Sequence, residues 1–124
     1  MKLLITGGGG FLGARLARTL LARGELAGQR IERVVLTDIA PPPADLAADA
    51  RVEARTGPLL AQTEALKTEG FVGVFHLASA LSGECEADFQ LGMSSNLDST
   101  RALLDALRHR VEKGGAAPTR LVFS

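Results

Sequence analysis

The chain predicts a doubly wound parallel α/β sheet, on two observations: apolar strand-like runs alternate with amphipathic helical stretches, and the first strand passes into the first helix through consecutive glycines. Strands separated by helical crossovers must run parallel, with helices on both faces. The expected strand order is 3-2-1-4-5, with the sheet stopping at strand five.

Lys2 to Thr6 is a short apolar run closed by glycine at 7 to 10, and its two apolar faces mark a buried strand. Leu12, Leu16 and Leu20 then recur every four residues beside Ala17 and Leu21, with Arg15, Arg18 and Arg23 elsewhere. This predicts an amphipathic helix ending near Gly24. Ile31 to Ile39 is the second strand; it carries Val34, Val35 and Leu36 and reaches Asp38. Pro41, Pro42 and Pro43 follow, and proline supplies no N–H for a ladder or a helix interior.

Residues 44–51 predict a helical turn, Arg51 to Arg55 a third strand, and Leu59 to Thr68 a helix. Phe71 to Ala78 is β-branched and aromatic between small residues, which predicts a fourth buried strand. From Glu86 to Glu112 a long helix is expected, with Thr100, Leu103, Leu104, Leu107 and Val111 on one face and Arg101, Asp105, Arg108 and Glu112 opposite. Gly114 and Gly115 end it, and Arg120 to Ser124 begins a fifth strand.

Fourteen basic residues balance fourteen acidic ones, so no net field favours nucleic acid or an acidic membrane surface, and a small-molecule partner is expected. The apolar runs are far below the roughly 20 residues needed to cross a bilayer. Glycines also follow Leu3-Leu4-Ile5 too soon for the core of a signal peptide. A lone Cys85 allows neither an internal disulfide nor a cysteine-based zinc site, and a cytoplasmic location is expected. With no basic neighbour in sequence, that thiol is expected to be inert. Glu84, Glu86 and Asp88 are expected to be solvated rather than metal ligands.

The chemistry is concentrated in Thr6-Gly7-Gly8-Gly9-Gly10-Phe11-Leu12-Gly13. Gly7, Gly10 and Gly13 stand three apart between a strand and a helix. They suit a tight turn, close backbone approach to a pyrophosphate, and close helix–strand packing in turn. The helix amino end then holds a diphosphate by its free N–H groups and partial positive charge, with no lysine required. Asp38 ends the second strand, 25 residues after Gly13. There it can accept hydrogen bonds from the adenosine ribose and repel a 2′-phosphate, which favours NAD over NADP. A second reading of Asp38, that it shapes the turn before the prolines, stands beside the first.

These residues, together with His76-Leu77-Ala78-Ser79, Asn96-Leu97-Asp98-Ser99-Thr100 and Leu121-Val122-Phe123-Ser124, resemble the extended short-chain dehydrogenase/reductases of the NAD-dependent epimerase/dehydratase type. The resemblance runs over the whole chain and implies a Rossmann NAD(P)-binding domain over residues 1–124. It places Phe11 and Leu12 at the pyrophosphate, and Leu77, Ala78 and Ser79 along the ribose and nicotinamide half. Asn96 would be a packing or proton-relay position, and His76 a satisfied strand residue. Gly57-Pro58-Leu59 departs from the family's Gly-Asp-Leu, so the Leu59 N–H replaces a carboxylate contact to the adenine. Residues 81–92 narrow the resemblance to a branch acting on a sugar acid.

The family's reaction uses a Tyr-x-x-x-Lys pair, and this chain has no tyrosine; its lysines are Lys2, Lys67 and Lys113. No catalytic residue is therefore assigned, Ser124 included. The resemblance implies the NAD-binding portion of an oxidoreductase acting on a hydroxyl of a sugar acid or nucleotide sugar, with the substrate domain outside this chain. An epimerase or dehydratase, or a non-catalytic dinucleotide-binding module, are the alternatives. An apolar sheet edge at strand five leads to the expectation of a homo-oligomer.

Overall fold

The computed structural model describes residues 1–67, 69–77, 99–114 and 120–123. In chain order the elements are β1 (Lys2–Thr6), α1 (Phe11–Arg23), β2 (Glu25–Leu26), β3 (Gln29–Arg30), β4 (Arg33–Asp38), α2 (Ala44–Ala47) and β5 (Val52–Thr56). A 3-10 turn (Leu59–Gln62) leads into α3 (Thr63–Leu66), followed by β6 (Gly73–His76), α4 (Ser99–Gly114) and β7 (Arg120–Phe123). Five strands form one sheet in the order β5-β4-β1-β6-β7, all parallel, which is the expected Rossmann order.

Side-chain alternation along β1 explains why the sheet is buried on both faces. Leu3 and Ile5 point to one side, where Ala14, Ala17, Leu20 and Leu21 of α1 join Val34 and Leu36 of β4. Leu4 points to the other, against Val35, Val74, Leu66 of α3, and Leu103, Ala106 and Leu107 of α4. Both layers meet at β1, the middle strand. Its carboxyl end is therefore the most firmly held point from which a loop can leave the sheet.

Helix α1 stops where expected: Gly24 adopts φ 73° and donates its N–H to the Leu20 carbonyl at 2.9 Å. The chain then makes an antiparallel hairpin, β2–β3, absent from the sequence expectation. Ala27 and Gly28 both have positive φ, 51° and 78°, as a two-residue primed turn requires. Alanine in place of the usual Asn or Asp hid that turn.

Other boundaries shift for physical reasons. The second strand begins at Arg33 rather than Ile31, because Ile31 donates to the Gly24 carbonyl at 2.9 Å and closes the hairpin. The expected helix from Leu59 to Thr68 is a 3-10 turn joined to a single α-turn. Leu104 was expected on the buried face of α4 but is 41% exposed. The buried stripe follows Leu103, Ala106 and Leu107, at i, i+3 and i+4, and Leu104 is rotated about 100° from Leu103. Leu12 is likewise 53% exposed, beside Phe11 at 81% in the first turn of α1. The expected helical stretch over residues 86–98, and Ala78 and Ser124 at the ends of strands four and five, lie outside the described residues.

Candidate dinucleotide site

In a parallel sheet every strand ends on the same edge, and the loops leaving β1, β4, β5 and β6 gather there. Gly7, Gly10, Phe11, Leu12 and Gly13 come from the first, Asp38 from the second, Leu59 from the third and Leu77 from the fourth. Ala78, Ser79 and Asn96 lie outside the described residues.

The glycine turn is held by the backbone of its neighbour strand. Gly7, at φ 79°, and Gly8 both donate to the Thr37 carbonyl, at 2.7 and 3.1 Å. Gly10 donates to the Gly7 carbonyl at 3.1 Å. A methyl group at Gly13 would come within 2.2 Å of the Gly7 carbonyl oxygen, so only glycine lets α1 sit this close to the turn. At Gly10 the same methyl would meet only that oxygen at 3.5 Å, an ordinary contact. The protein itself leaves the space above Gly10 open.

Spacing singled out positions 7, 10 and 13, and missed Gly9. A methyl there would lie 2.9 Å from the Ala40 carbonyl oxygen and 3.0 Å from the Asp38 carboxylate. No side chain caps α1, and its first turn holds no acidic residue, so the free N–H groups there remain available to an anion. Phe11, 81% exposed, and Leu12 flank them. These features fit a dinucleotide pyrophosphate.

Asp38 shapes the turn before the prolines, as the second reading of it expected. One carboxylate oxygen accepts the Gly9 N–H at 2.8 Å; the other accepts from Ile39 at 2.7 Å and Ala40 at 3.3 Å. The first bond ties the turn to the end of β4, and the second pair shapes the strand exit. The Asp38 carbonyl also accepts the Gly57 N–H at 2.8 Å, bringing the β5 exit alongside. Gln62 donates to the Gly57 carbonyl at 3.2 Å and steadies that loop, while the Leu59 side chain is buried beneath it.

On the other side of β1, His76 is 4% exposed and both ring nitrogens are engaged. Nδ1 lies 2.7 Å from the Thr6 hydroxyl and Nε2 2.7 Å from the Thr100 hydroxyl. Burial pushes the imidazole below its usual 6.5. The Leu77 N–H donates to the Thr6 carbonyl at 3.2 Å and to its hydroxyl at 3.0 Å. The expected satisfied strand histidine is what the structure shows.

Away from this edge, a shallow cavity of about 250 Å³ between α1 and α2 is lined by Arg18, Asp45, Asp49 and Arg51 among others. Its charges pair with one another, Arg18 with Asp45 at 2.8 Å and Arg51 with Asp49 at 2.9 Å, so it offers a ligand no unmatched charge. Among the described residues no group of three or more His, Cys, Asp or Glu is placed to hold a metal ion, and no helix is long and apolar enough to cross a membrane. Cys85, Glu84, Glu86 and Asp88 lie outside those residues.

Comparison with known proteins agrees with this geometry. Residues 3–124 match the model of the NAD dependent epimerase/dehydratase family. A D-erythronate dehydrogenase of Cupriavidus necator is 50% identical over 116 residues, covering 87% of this chain and 35% of the relative. A second D-erythronate dehydrogenase, from Haemophilus influenzae, is 38% identical over 126 aligned positions, covering 100% of this chain and 37% of the relative. The chain thus spans about a third of the length of the curated relatives it matches. Among solved structures, a nucleoside-diphosphate-sugar epimerase from Agrobacterium tumefaciens superposes with a TM-score of 0.84 at 36% identity, over 99% of this chain and 36% of that one. Glycine turn, sheet order and family match together establish that the chain belongs to the NAD dependent epimerase/dehydratase family.

Proposed function

We propose that this chain is the NAD-binding portion of an oxidoreductase that acts on a hydroxyl of a sugar acid, D-erythronate being the substrate that its relatives' names suggest. The observation that carries the reading is the uncapped amino end of α1, opening over Gly10 with Asp38 beside it. The N–H groups of Phe11, Leu12 and Gly13 would hold the pyrophosphate. Asp38, which keeps one lone-pair position beyond the three used by Gly9, Ile39 and Ala40, would accept from the adenosine ribose and repel a 2′-phosphate. Leu59 would face the adenine, and Leu77, followed by Ala78, Ser79 and Asn96, would border the nicotinamide half.

Bound NAD supplies a hydride acceptor at its nicotinamide. The residues of this chain bind and orient it. With no tyrosine, the chain lacks the proton acceptor of a Tyr-x-x-x-Lys pair and is expected to bind without turnover. We further propose a cytoplasmic protein that self-associates, supported by Val122 of β7 and Leu104 of α4, 49% and 41% exposed.

Titration of the purified chain with NADH and NADPH, followed by nicotinamide fluorescence, tests the cofactor reading. Saturable binding with NADH preferred supports it, and binding of neither would overturn it. Sedimentation velocity tests self-association, which a single monomeric boundary would exclude.

A further inference from the structure

We propose that His76 is a positioning residue for the nicotinamide half of the site, acting by bridging the foot of the glycine turn to the first turn of α4. The proposal rests on the dinucleotide reading above and extends it to a residue that touches no part of the cofactor.

Three elements converge on one ring. Thr6 is the last residue of β1, immediately before the turn at Gly7; His76 is the last residue of β6; Thr100 lies in the first turn of α4. Thr6 Oγ1 and Thr100 Oγ1 each lie 2.7 Å from a different nitrogen of the imidazole. These are the ends of the elements that bound the site on the β6 side of β1, opposite Asp38.

The Leu77 N–H takes up one lone pair of the Thr6 hydroxyl oxygen at 3.0 Å, and the same oxygen shares one hydrogen bond with Nδ1, its direction set by the ring tautomer. A neutral ring donates at one nitrogen and accepts at the other, and either tautomer lets it bond both hydroxyls. Leu77, Thr6, His76 and Thr100 thus form one continuous chain of hydrogen bonds. Leu77, the residue expected along the cofactor, is anchored twice to Thr6, so the register of the β6 exit depends on that oxygen. Adenosine contacts, by contrast, depend on Asp38 and Gly57, joined by their own bond at 2.8 Å.

Two probes separate the halves of the site: NADH, which fills both, and ADP, which fills only the adenosine and phosphate side. Thr100→Val removes the hydrogen-bond partner of Nε2 at nearly constant volume, and Thr100→Ser retains it. The proposal expects Thr100→Val to raise the Kd for NADH about 3- to 10-fold, ADP staying within about 2-fold of wild type, and Thr100→Ser to restore NADH binding. His76→Gln, whose amide can reach Thr100 in place of Nε2, is expected to bind NADH better than His76→Leu. Equal weakening of both probes in Thr100→Val, or no recovery in Thr100→Ser, would overturn the proposal in favour of a general structural role. Wild-type protein that binds both probes beside a Thr100→Val variant indistinguishable from it would sink the positioning role alone. Wild-type protein that binds neither would remove the dinucleotide reading and the proposal with it.

Discussion

The Asp38 carboxylate accepts the backbone N–H of Gly9 at 2.8 Å, so the residue expected to select the cofactor also holds the loop expected to bind its phosphates. Truncation to Asp38→Ala removes the acceptor for Gly9, Ile39 and Ala40 at once. The Kd for NADH is expected to rise by about 10-fold or more, from lost charge-assisted hydrogen bonds. NADPH should change less, because the repulsion of its 2′-phosphate disappears with the carboxylate. Parallel fluorescence titrations measure both; an unchanged ratio of the two affinities would contradict the selecting role.

Gly10 and Gly13 lie three residues apart yet should respond differently to the same methyl group. Gly13→Ala places Cβ 2.2 Å from a backbone oxygen that cannot move without opening the turn, and a loss of about 3 kcal/mol in unfolding free energy is expected. Gly10→Ala meets that oxygen at 3.5 Å with φ at −84°, so the fold should lose less than about 1 kcal/mol, while NADH binding weakens sharply because the methyl enters the open space above the turn. Urea unfolding and NADH titration of the two variants would show the split. Gly10→Ala binding as wild type would mean that the pyrophosphate does not pass over this position.

His76 supplies a pH dependence with a definite sign. Burial lowers its pKa in the fold below the 6.5 expected when unfolded, so the folded state disfavours the proton. Stability from this group is constant above pH 6.5 and falls as the pH drops from there toward the folded pKa, below which the penalty is complete. Urea midpoints taken between about pH 8 and 5 should decline on the acid side for wild type and flatten in His76→Asn. An equal decline in both would assign the effect to other groups.

Much of this was legible in the sequence because it depends on local pattern. Alternation, glycine spacing and Asp38 at a strand end are short-range signals, and they were sufficient for the parallel sheet and for placing the glycine turn and Asp38 at its carboxyl edge. What escaped depends on residues distant in sequence or on unusual local chemistry. No short-range signal connects Asp38 to Gly9, or His76 to Thr6 and Thr100; those contacts exist only once the strands are registered, as Thr6 with Thr37 and His76. The β2–β3 turn was hidden by Ala27, an L-residue at φ 51° where Asn or Asp is the usual sign. Leu12 and Leu104 were misplaced because helical periodicity gives the direction of a face and not its width.

Glu69 was equally invisible in the sequence, and it should control the acid limb of stability below the range governed by His76. It accepts hydrogen bonds from both terminal nitrogens of Arg55 and from Lys2 Nζ at 2.8 Å, while Lys2 lies 5.0 Å from the centre of the Phe71 ring. The hydrogen bonds from Arg55, aided by Lys2, hold its carboxyl below the usual 4.5. That contribution is present above pH 4.5 and is lost as the pH falls through the folded value. Glu69→Gln leaves Lys2 facing a neutral amide and Arg55 with Glu53 as its remaining carboxylate. A loss on the order of 1 kcal/mol at neutral pH is expected, allowing for solvent screening of a partly exposed cluster. The variant should also lose less stability than wild type on acidification below pH 4.5. Raising the salt concentration should narrow the difference between the two proteins at neutral pH. Urea unfolding of both across that range decides it: acid limbs of the same steepness would show that Glu69 is not the group being protonated.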